Sequence, residues 1–375
     1  MPGQRKGRLT LSASSYVKTK AYSYIKDLIY GRKKSLAVGA LLRLLSVFYA
    51  LAIRLRHVLY AMGVFRKQSL ALKVISVGNI TLGGTGKTPM VIQIARLLLK
   101  NQRHPVVISR GYGRENESDI VVVSDGLNIL ADAKSGGDEP VLISSVLPGV
   151  PVVVGSDRYK AAVLAQQKFN TDTVVLDDGF QHIRLKRNLD IVLVDAVDPF
   201  GNGRLFPAGV LREPLPALTR AHVVLITGSD KEEGLEELKR VIRRNTRARI
   251  FTARQVPAGI TNITSGDTRP HTTLRGRSVL AFSGIARPAS FTTLLRTLGA
   301  DIRAEIAYPD HYAYNKSELT ALFQKAADAK ASMIVTTEKD AVKLKPLHPD
   351  GIWALRLEMN IVENSEWEEV LLQRL

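Results

Sequence analysis

The chain has 375 residues, a formal net charge of +18 and a pI near 10.0. That length is comfortable for two domains and a sizeable core. It contains no cysteine, which excludes disulfides, thiolate metal sites and a cysteine nucleophile, and the positive excess points to an anionic partner.

Residues 1–66 form the first segment. Basic residues recur through it (Arg5, Lys6, Arg8, Lys18, Lys20, Lys26, Arg32, Lys33, Lys34), and Asp27 is its single acid. Its apolar part, 36–65, is broken by Arg43, Arg54 and Arg56, so the uninterrupted runs fall short of the roughly 20 residues a spanning helix needs. Arg43, Ser46, Ala50, Arg54 and His57 follow three- and four-residue steps and form a polar or small stripe. Leu44, Leu45, Val47, Phe48, Leu51, Leu55, Val58 and Leu59 cover the rest. The pattern predicts an amphipathic helix lying in a membrane interface beside anionic headgroups, with a helix docked on the protein as the alternative.

Residues 67–256 read as a nucleotide-binding domain. An apolar strand over 72–77 leads into the loop Gly83-Gly84-Thr85-Gly86-Lys87-Thr88, and apolar residues then repeat at helical spacing over 90–99. A glycine-rich loop opening a helix points backbone N–H groups at phosphate oxygens. Lys87 suits the β- and γ-phosphates, and the Thr88 hydroxyl suits Mg²⁺. The general phosphate-loop pattern has a glycine where this chain has Thr81. Apolar runs at 106–109, 120–123, 152–155, 173–176, 191–194 and 223–227 then alternate with helical patterns, which predicts a parallel sheet covered by helices. Ligands in such sheets bind at the carboxyl ends of the strands.

The polar motifs fall at those ends. The strand at 173–176 runs into Asp177-Asp178-Gly179-Phe180-Gln181-His182. Asp177 or Asp178 suits Mg²⁺, and Gln181 and His182 stand ready to position phosphate or substrate. Gly136-Gly137-Asp138-Glu139-Pro140 reads as a loop tip, because the proline holds Glu139 extended. Asp138 is the residue chosen there to accept a proton from an acceptor hydroxyl, although a turn or capping acid fits the same letters. Arg158 and Arg212 stand in loop contexts and suit phosphate oxygens.

The stretch 257–276 reads as a linker, and 277–375 as a smaller α/β domain with strands at 278–283 and 333–337 and helices near 289–298 and 316–329. Within it, Tyr308-Pro309-Asp310-His311-Tyr312 offers His311 as a partner for a catalytic carboxylate. The fold expected overall is α/β: a P-loop-type, mostly parallel sheet domain, a second smaller α/β domain and an N-terminal amphipathic helix.

Together these motifs closely resemble the tetraacyldisaccharide 4'-kinase family. The resemblance spans the basic amphipathic start, G-G-T-G-K-T-P, S-R-G-Y-G-R at 109–114, G-D-E-P, D-D-G-F-Q-H, F-P-A-G-x-L-R-E-P at 206–214, P-D-H-Y, and T-E-K-D at 337–340. It implies transfer of the γ-phosphate of ATP, with Mg²⁺, to the 4'-hydroxyl of an acylated glucosamine disaccharide 1-phosphate at the cytoplasmic face of a bacterial inner membrane. It further implies Asp138 as base with His311 as its partner, and Lys87 with Thr88 on nucleotide and metal. Asp177, Asp178, Gln181 and His182 would line the site; Glu139 joins Arg158 and Arg212 toward substrate or phosphate, and Glu213 approaches Mg²⁺. The competing readings are a membrane-associated P-loop ATPase or GTPase switch and a nucleic-acid-binding protein. Against the GTPase, the nearest string to N-K-x-D is Asn315-Lys316-Ser317-Glu318, which ends in the wrong acid. Against nucleic acid, the charge sits beside an apolar stripe with no stacking motif.

Overall fold

The computed structural model describes residues 28–29, 35–228 and 234–375. The basic cluster from Arg5 to Lys34 lies outside the described residues. The chain divides into two compact units, one made of Ile80–Leu82, Asp198–Ala217 and the chain up to Phe65, the other of the remainder.

The larger unit is built on one 13-stranded sheet. Its strands are β1 (Lys73–Asn79), β2 (Pro105–Ser109), β3 (Val121–Ser124), β4 (Val152–Val154), β5 (Thr173–Asp177), β6 (Leu189–Asp195), β7 (Val223–Thr227), β8 (Arg249–Asn262), β9 (Thr268–Arg269), β10 (Ser278–Ser283), β11 (Asp301–Ala307), β12 (Met333–Thr337) and β13 (Ile352–Ile361). The order across the sheet is β11-β10-β12-β13-β8-β7-β6-β1-β5-β2-β4-β3, with β9 paired to β8. From β8 to β4 every neighbouring pair is parallel, as is every pair from β11 to β13; β3 closes one edge antiparallel. The two parallel halves meet at the antiparallel pair β13/β8.

Side-chain alternation sends successive strand residues to opposite faces. Ile75, Val107, Val175, Ile191 and Val223 join Met90, Ile94 and Leu98 of the helix Lys87–Lys100 in one apolar layer. Val74, Val106, Val174 and Leu176 join Ala161, Ala162 and Ala165 of the helix Arg158–Lys168 in the other. Burying Met90, Ile94 and Leu98 contributes about 1.5–3 kcal/mol each, which pins the start of their helix against the end of β1. In the second half, the helices Lys316–Asp328 and Pro288–Thr297 cover opposite faces of β10 and β12 in the same way.

The stretch 257–276, expected as a linker, instead carries the second half of the 14-residue strand β8. Residues Arg249–Ala253 run parallel to β7, and from Ala253 onward the strand pairs with β13. Pro257 and Gly259 suggested a break, but they flank a bulge: Pro257 faces Leu357 and Gly259 faces Arg356, leaving Ala258 as the extra residue.

In the smaller unit, the 26-residue helix Leu36–Ala61 has no buried residue. Ser46 and His57 of its polar stripe, with Tyr49 beside them, face protein, while Arg43 and Arg54 are exposed: Ser46 Oγ donates to the Leu205 carbonyl at 2.9 Å, Tyr49 donates to the Arg212 carbonyl at 3.0 Å, and His57 Nε2 lies 3.2 Å from Glu213. Phe48, Leu51 and Leu55 are about 60% exposed. This inverts the pattern of an ordinary core helix, whose apolar face is the one that docks. By length and composition the helix is also long and apolar enough to cross a membrane, despite the arginine interruptions.

Candidate active site

In the larger unit, the carboxyl ends of β1, β2 and β5 and the start of the helix Lys87–Lys100 assemble the first cluster. Gly86 caps that helix with φ +84°, and a Cβ there would come within 2.9 Å of Met359 Cε. Only glycine fits such a backbone without strain. The loop is tied down on both sides of Thr85: Asn79 Nδ2 donates to its hydroxyl at 3.1 Å, and Thr227 Oγ1 donates to its carbonyl at 3.0 Å. Thr81 is buried in the smaller unit, bridges to Leu211 and does not have positive φ, so no glycine is needed there. Thr88 follows Lys87 in the first helical turn.

Lys87 Nζ lies 3.6 Å from Asp178 Oδ1. Asp177, the last residue of β5, is buried. Its Oδ2 accepts a hydrogen bond from Ser109 Oγ at 3.0 Å, while its Oδ1 is buried with no hydrogen-bond partner among the described residues. Burial, then the carboxylates of Glu139 and Asp178, push the Asp177 carboxyl up to about 7, against the pull of Lys87 and Ser109. A cation is what such a carboxyl lacks. Mg²⁺ takes one or two protein oxygens and completes its shell with phosphate and water. The residues present fit that ion, with Thr88 and the Asp177/Asp178 pair as the donor set.

The turn after β5 folds back because Gly179 permits it: its N–H donates to the Val77 carbonyl at 3.0 Å, and a Cβ there would meet Leu176 Cβ at 2.7 Å. Gln181 Nε2 then donates to the Asn79 carbonyl at 2.8 Å. Burial, followed by the charge of Arg158, lowers His182 to about 4, so it is neutral at physiological pH. Arg158 is a helix start rather than a loop residue: Asp157 caps that helix by accepting from Tyr159 and Lys160 N–H groups. The Arg158 guanidinium is buried, its pKa lowered by burial and by Arg110, with Asp178 and Asp177 acting in the opposite direction.

The second cluster centres on Asp138. The expected loop tip is the first turn of the helix Asp138–Val146. Pro140 lies in that first turn, where a missing N–H costs nothing. Gly137, with φ +91°, makes the turn into it. Asp138 Oδ2 lies 3.1 Å from His311 Nδ1 and 4.0 Å from Lys343 Nζ. Burial by itself raises the Asp138 pKa, but the hydrogen bond from His311 and the charge of Lys343 outweigh it, and the carboxyl sits below its ordinary value. His311 holds a left-handed backbone, φ +60°. Glu139 links the clusters, since its carboxylate acts on Asp177 while its Oε1 lies 3.8 Å from Lys339.

The fold therefore brings Lys87, Asp177, Asp178, Glu139 and Arg158 into one electrostatic neighbourhood and joins Asp138 to His311. Arg212 and Glu213 belong to the smaller unit, where Glu213 is buried beside His57. Sequence reasoning gave no role to Ser109, Lys339 or Lys343. Ser109 opens S-R-G-Y-G-R and Lys339 sits in T-E-K-D, so each stood inside a quoted motif.

Residues 38–375 match the family described as Tetraacyldisaccharide-1-P 4'-kinase. The chain is 45% identical over 336 residues to a tetraacyldisaccharide 4'-kinase of Geobacter metallireducens, covering 89% of this chain and 97% of that relative. It is 41% identical to one of Syntrophus aciditrophicus, over 91% and 94% of the two chains. A solved structure of LpxK from Aquifex aeolicus in complex with ATP superposes with a TM-score of 0.74 at 30% identity, covering 90% of this chain and 99% of that one. These relatives do not favour the switch reading. The chain belongs to the tetraacyldisaccharide 1-phosphate 4'-kinase family.

Proposed function

We propose that Asp138 accepts the proton of the 4'-hydroxyl of a tetraacyldisaccharide 1-phosphate as the γ-phosphate of ATP is transferred to that oxygen. The observation that carries this reading is the Asp138–His311 contact: His311 and the nearby ammonium groups keep the carboxyl ionised, and the contacts with His311 and Lys343 both fall on Oδ2. Oδ1 is the oxygen that takes the proton. Phosphoryl transfer asks mainly for positioning and charge stabilisation. The loop amides of Gly83–Lys87 and the Lys87 ammonium hold the phosphates, and Thr88 with Asp177 or Asp178 holds Mg²⁺, which when bound offsets charge on the phosphate oxygens. Whichever of the two aspartates would hold the ion would do so as the ionised carboxylate. Glu139, Arg158, Gln181 and His182 orient substrate and phosphate. Arg212 toward substrate and Glu213 toward metal rest on the shared motif alone.

The exposed apolar helix Leu36–Ala61 fits an acceptor whose acyl chains sit in a bilayer. In this reading the chain is a monotopic protein of the cytoplasmic face of the inner membrane, drawn to an anionic surface. The test is phosphate transfer from Mg-ATP to detergent-dispersed acceptor by Asp138→Asn. Transfer falls by about 100-fold or more with ATP affinity unchanged; transfer at the wild-type rate removes Asp138 from the base role.

A further inference from the structure

Lys339 stands in the first turn of the helix Glu338–Leu344, which follows β12. That short helix is fixed from below by Asp340, which is fully buried. Asp340 Oδ2 accepts from the Gly284 N–H at 2.9 Å and from Thr337 Oγ1 at 2.7 Å, while Oδ1 accepts from the Tyr314 hydroxyl at 3.0 Å and pairs with Lys343 at 3.1 Å. Four contacts on one carboxylate leave the helix little freedom to turn. The side chain one residue earlier is held correspondingly firmly.

Lys339 Nζ lies 3.2 Å from His311 Nε2, 3.2 Å from Asp310 Oδ1 and 3.8 Å from Glu139 Oε1. An ammonium carries three N–H donors and no acceptor. Two of them are taken by His311 and Asp310 at hydrogen-bond distance, and Glu139 adds an ion pair, so the ammonium is engaged here. The contact with His311 has only one consistent polarity: Lys339 donates, and Nε2 accepts with its lone pair. A neutral imidazole with Nε2 as acceptor carries its proton on Nδ1. That proton points at Asp138 Oδ2, 3.1 Å away.

We propose that Lys339 is a positioning residue that fixes the His311 tautomer, with the proton on Nδ1, and so orients the Asp138 carboxylate for proton abstraction. The inference rests on the reading of Asp138 as base. Without Lys339 the charged group left at Nε2 is Asp310 Oδ1, 3.9 Å away, which draws the proton to Nε2; the Nδ1 lone pair then faces a carboxylate oxygen, a repulsive pair that turns Asp138 away. Burial opposes ionisation of Asp138; Lys339 adds, after the larger effects of His311 and Lys343, to the interactions that outweigh it. The Asp310 and Glu139 contacts tie the same ammonium to the P-D-H-Y and G-D-E-P segments, so one cation registers both halves of the dyad.

The experiment uses the full chain in detergent with imidazole-¹⁵N histidine, the His311 signals being assigned by their loss in His311→Gln. In the wild type Nδ1 gives the protonated signature and Nε2 the unprotonated one. In Lys339→Met the Nδ1 signature is lost or exchanges with its opposite, kcat falls about tenfold or more, and KM for ATP and acceptor stays within about twofold. Lys339→Arg, which still donates, restores the wild-type imidazole signature and most of kcat. ATP binding and circular dichroism establish that both variants are folded. An imidazole spectrum in Lys339→Met identical to the wild type overturns the proposal, as does an unchanged kcat. Asp138→Asn run alongside separates the two levels: wild-type turnover there overturns the base reading itself, whereas lost turnover there with an unmoved Lys339→Met spectrum overturns only the role of Lys339.

Discussion

Ser109, at the end of β2, donates its hydroxyl to Oδ2 of Asp177, at the end of β5, across 3.0 Å. The two strands are neighbours in the sheet, in parallel register, so the contact is set by backbone pairing rather than by loop geometry. It leaves Oδ1 buried with no hydrogen-bond partner among the described residues.

Ser109→Ala removes that orienting bond to a buried carboxylate. Its loss costs about 1–2 kcal/mol, so kcat/KM for Mg-ATP falls by roughly fivefold to thirtyfold. Steady-state kinetics at varied Mg²⁺ check this, with the deficit shrinking as Mg²⁺ rises.

His182 provides a pH prediction. Its folded pKa is lowered to about 4 from 6.5 by burial and then by Arg158. Between those values the unfolded chain binds a proton that the native protein does not, so stability rises with pH through this window and is lost as pH falls from 6.5 toward 4. His182→Gln removes this contribution. Urea unfolding at pH 7, 6, 5 and 4 should show a shallower decline for the variant than for the wild type.

The helix Leu36–Ala61 docks by Ser46, Tyr49 and His57 and leaves Phe48, Leu51 and Leu55 outward. Replacing Leu51 and Leu55 by Glu should leave the fold intact, because neither is buried. Burial of apolar surface is worth about 25 cal/mol per Å², so sedimentation with anionic vesicles should show a loss of binding of at least tenfold. Ser46→Ala and Tyr49→Phe should lower thermal stability slightly while leaving vesicle binding in place.

Gly86→Ala places a Cβ on a left-handed backbone and against Met359. An L side chain in that conformation costs about 1–2 kcal/mol. Titration with ATP should show weakened binding, with the melting temperature reduced by a few degrees.

The phosphate loop, the β5 end and the strands at 223–227, 278–283 and 333–337 were legible because buried parallel strands are short β-branched runs that stop at glycine or acid. Strand β11 was harder. It is an edge strand in which Asp301, Arg303 and Glu305 alternate with half-buried residues, and those charges, which guard an open edge, look like loop. Strand β8 was misread past Pro257 because a bulge and a linker share their letters. Gly136-Gly137-Asp138 was misread as a loop because Pro140 suits the first turn of a helix as well as it suits an extended segment. The chemistry of Asp138 and His311 was visible as residue types; that 173 positions of chain close to 3.1 Å is a property of the sheet order. Lys339 was hidden for the same reason, since its partners come from two segments distant in sequence, Asp310-His311 and Glu139.

Asp138 and His311, if they work as one unit in proton removal, are coupled in a double-mutant cycle on kcat for phosphate transfer. Asp138→Ala and His311→Ala each lower kcat, and the double variant should fall no further than Asp138→Ala alone. Losses that multiply in the double variant would show that the two residues contribute independently and do not form a working pair.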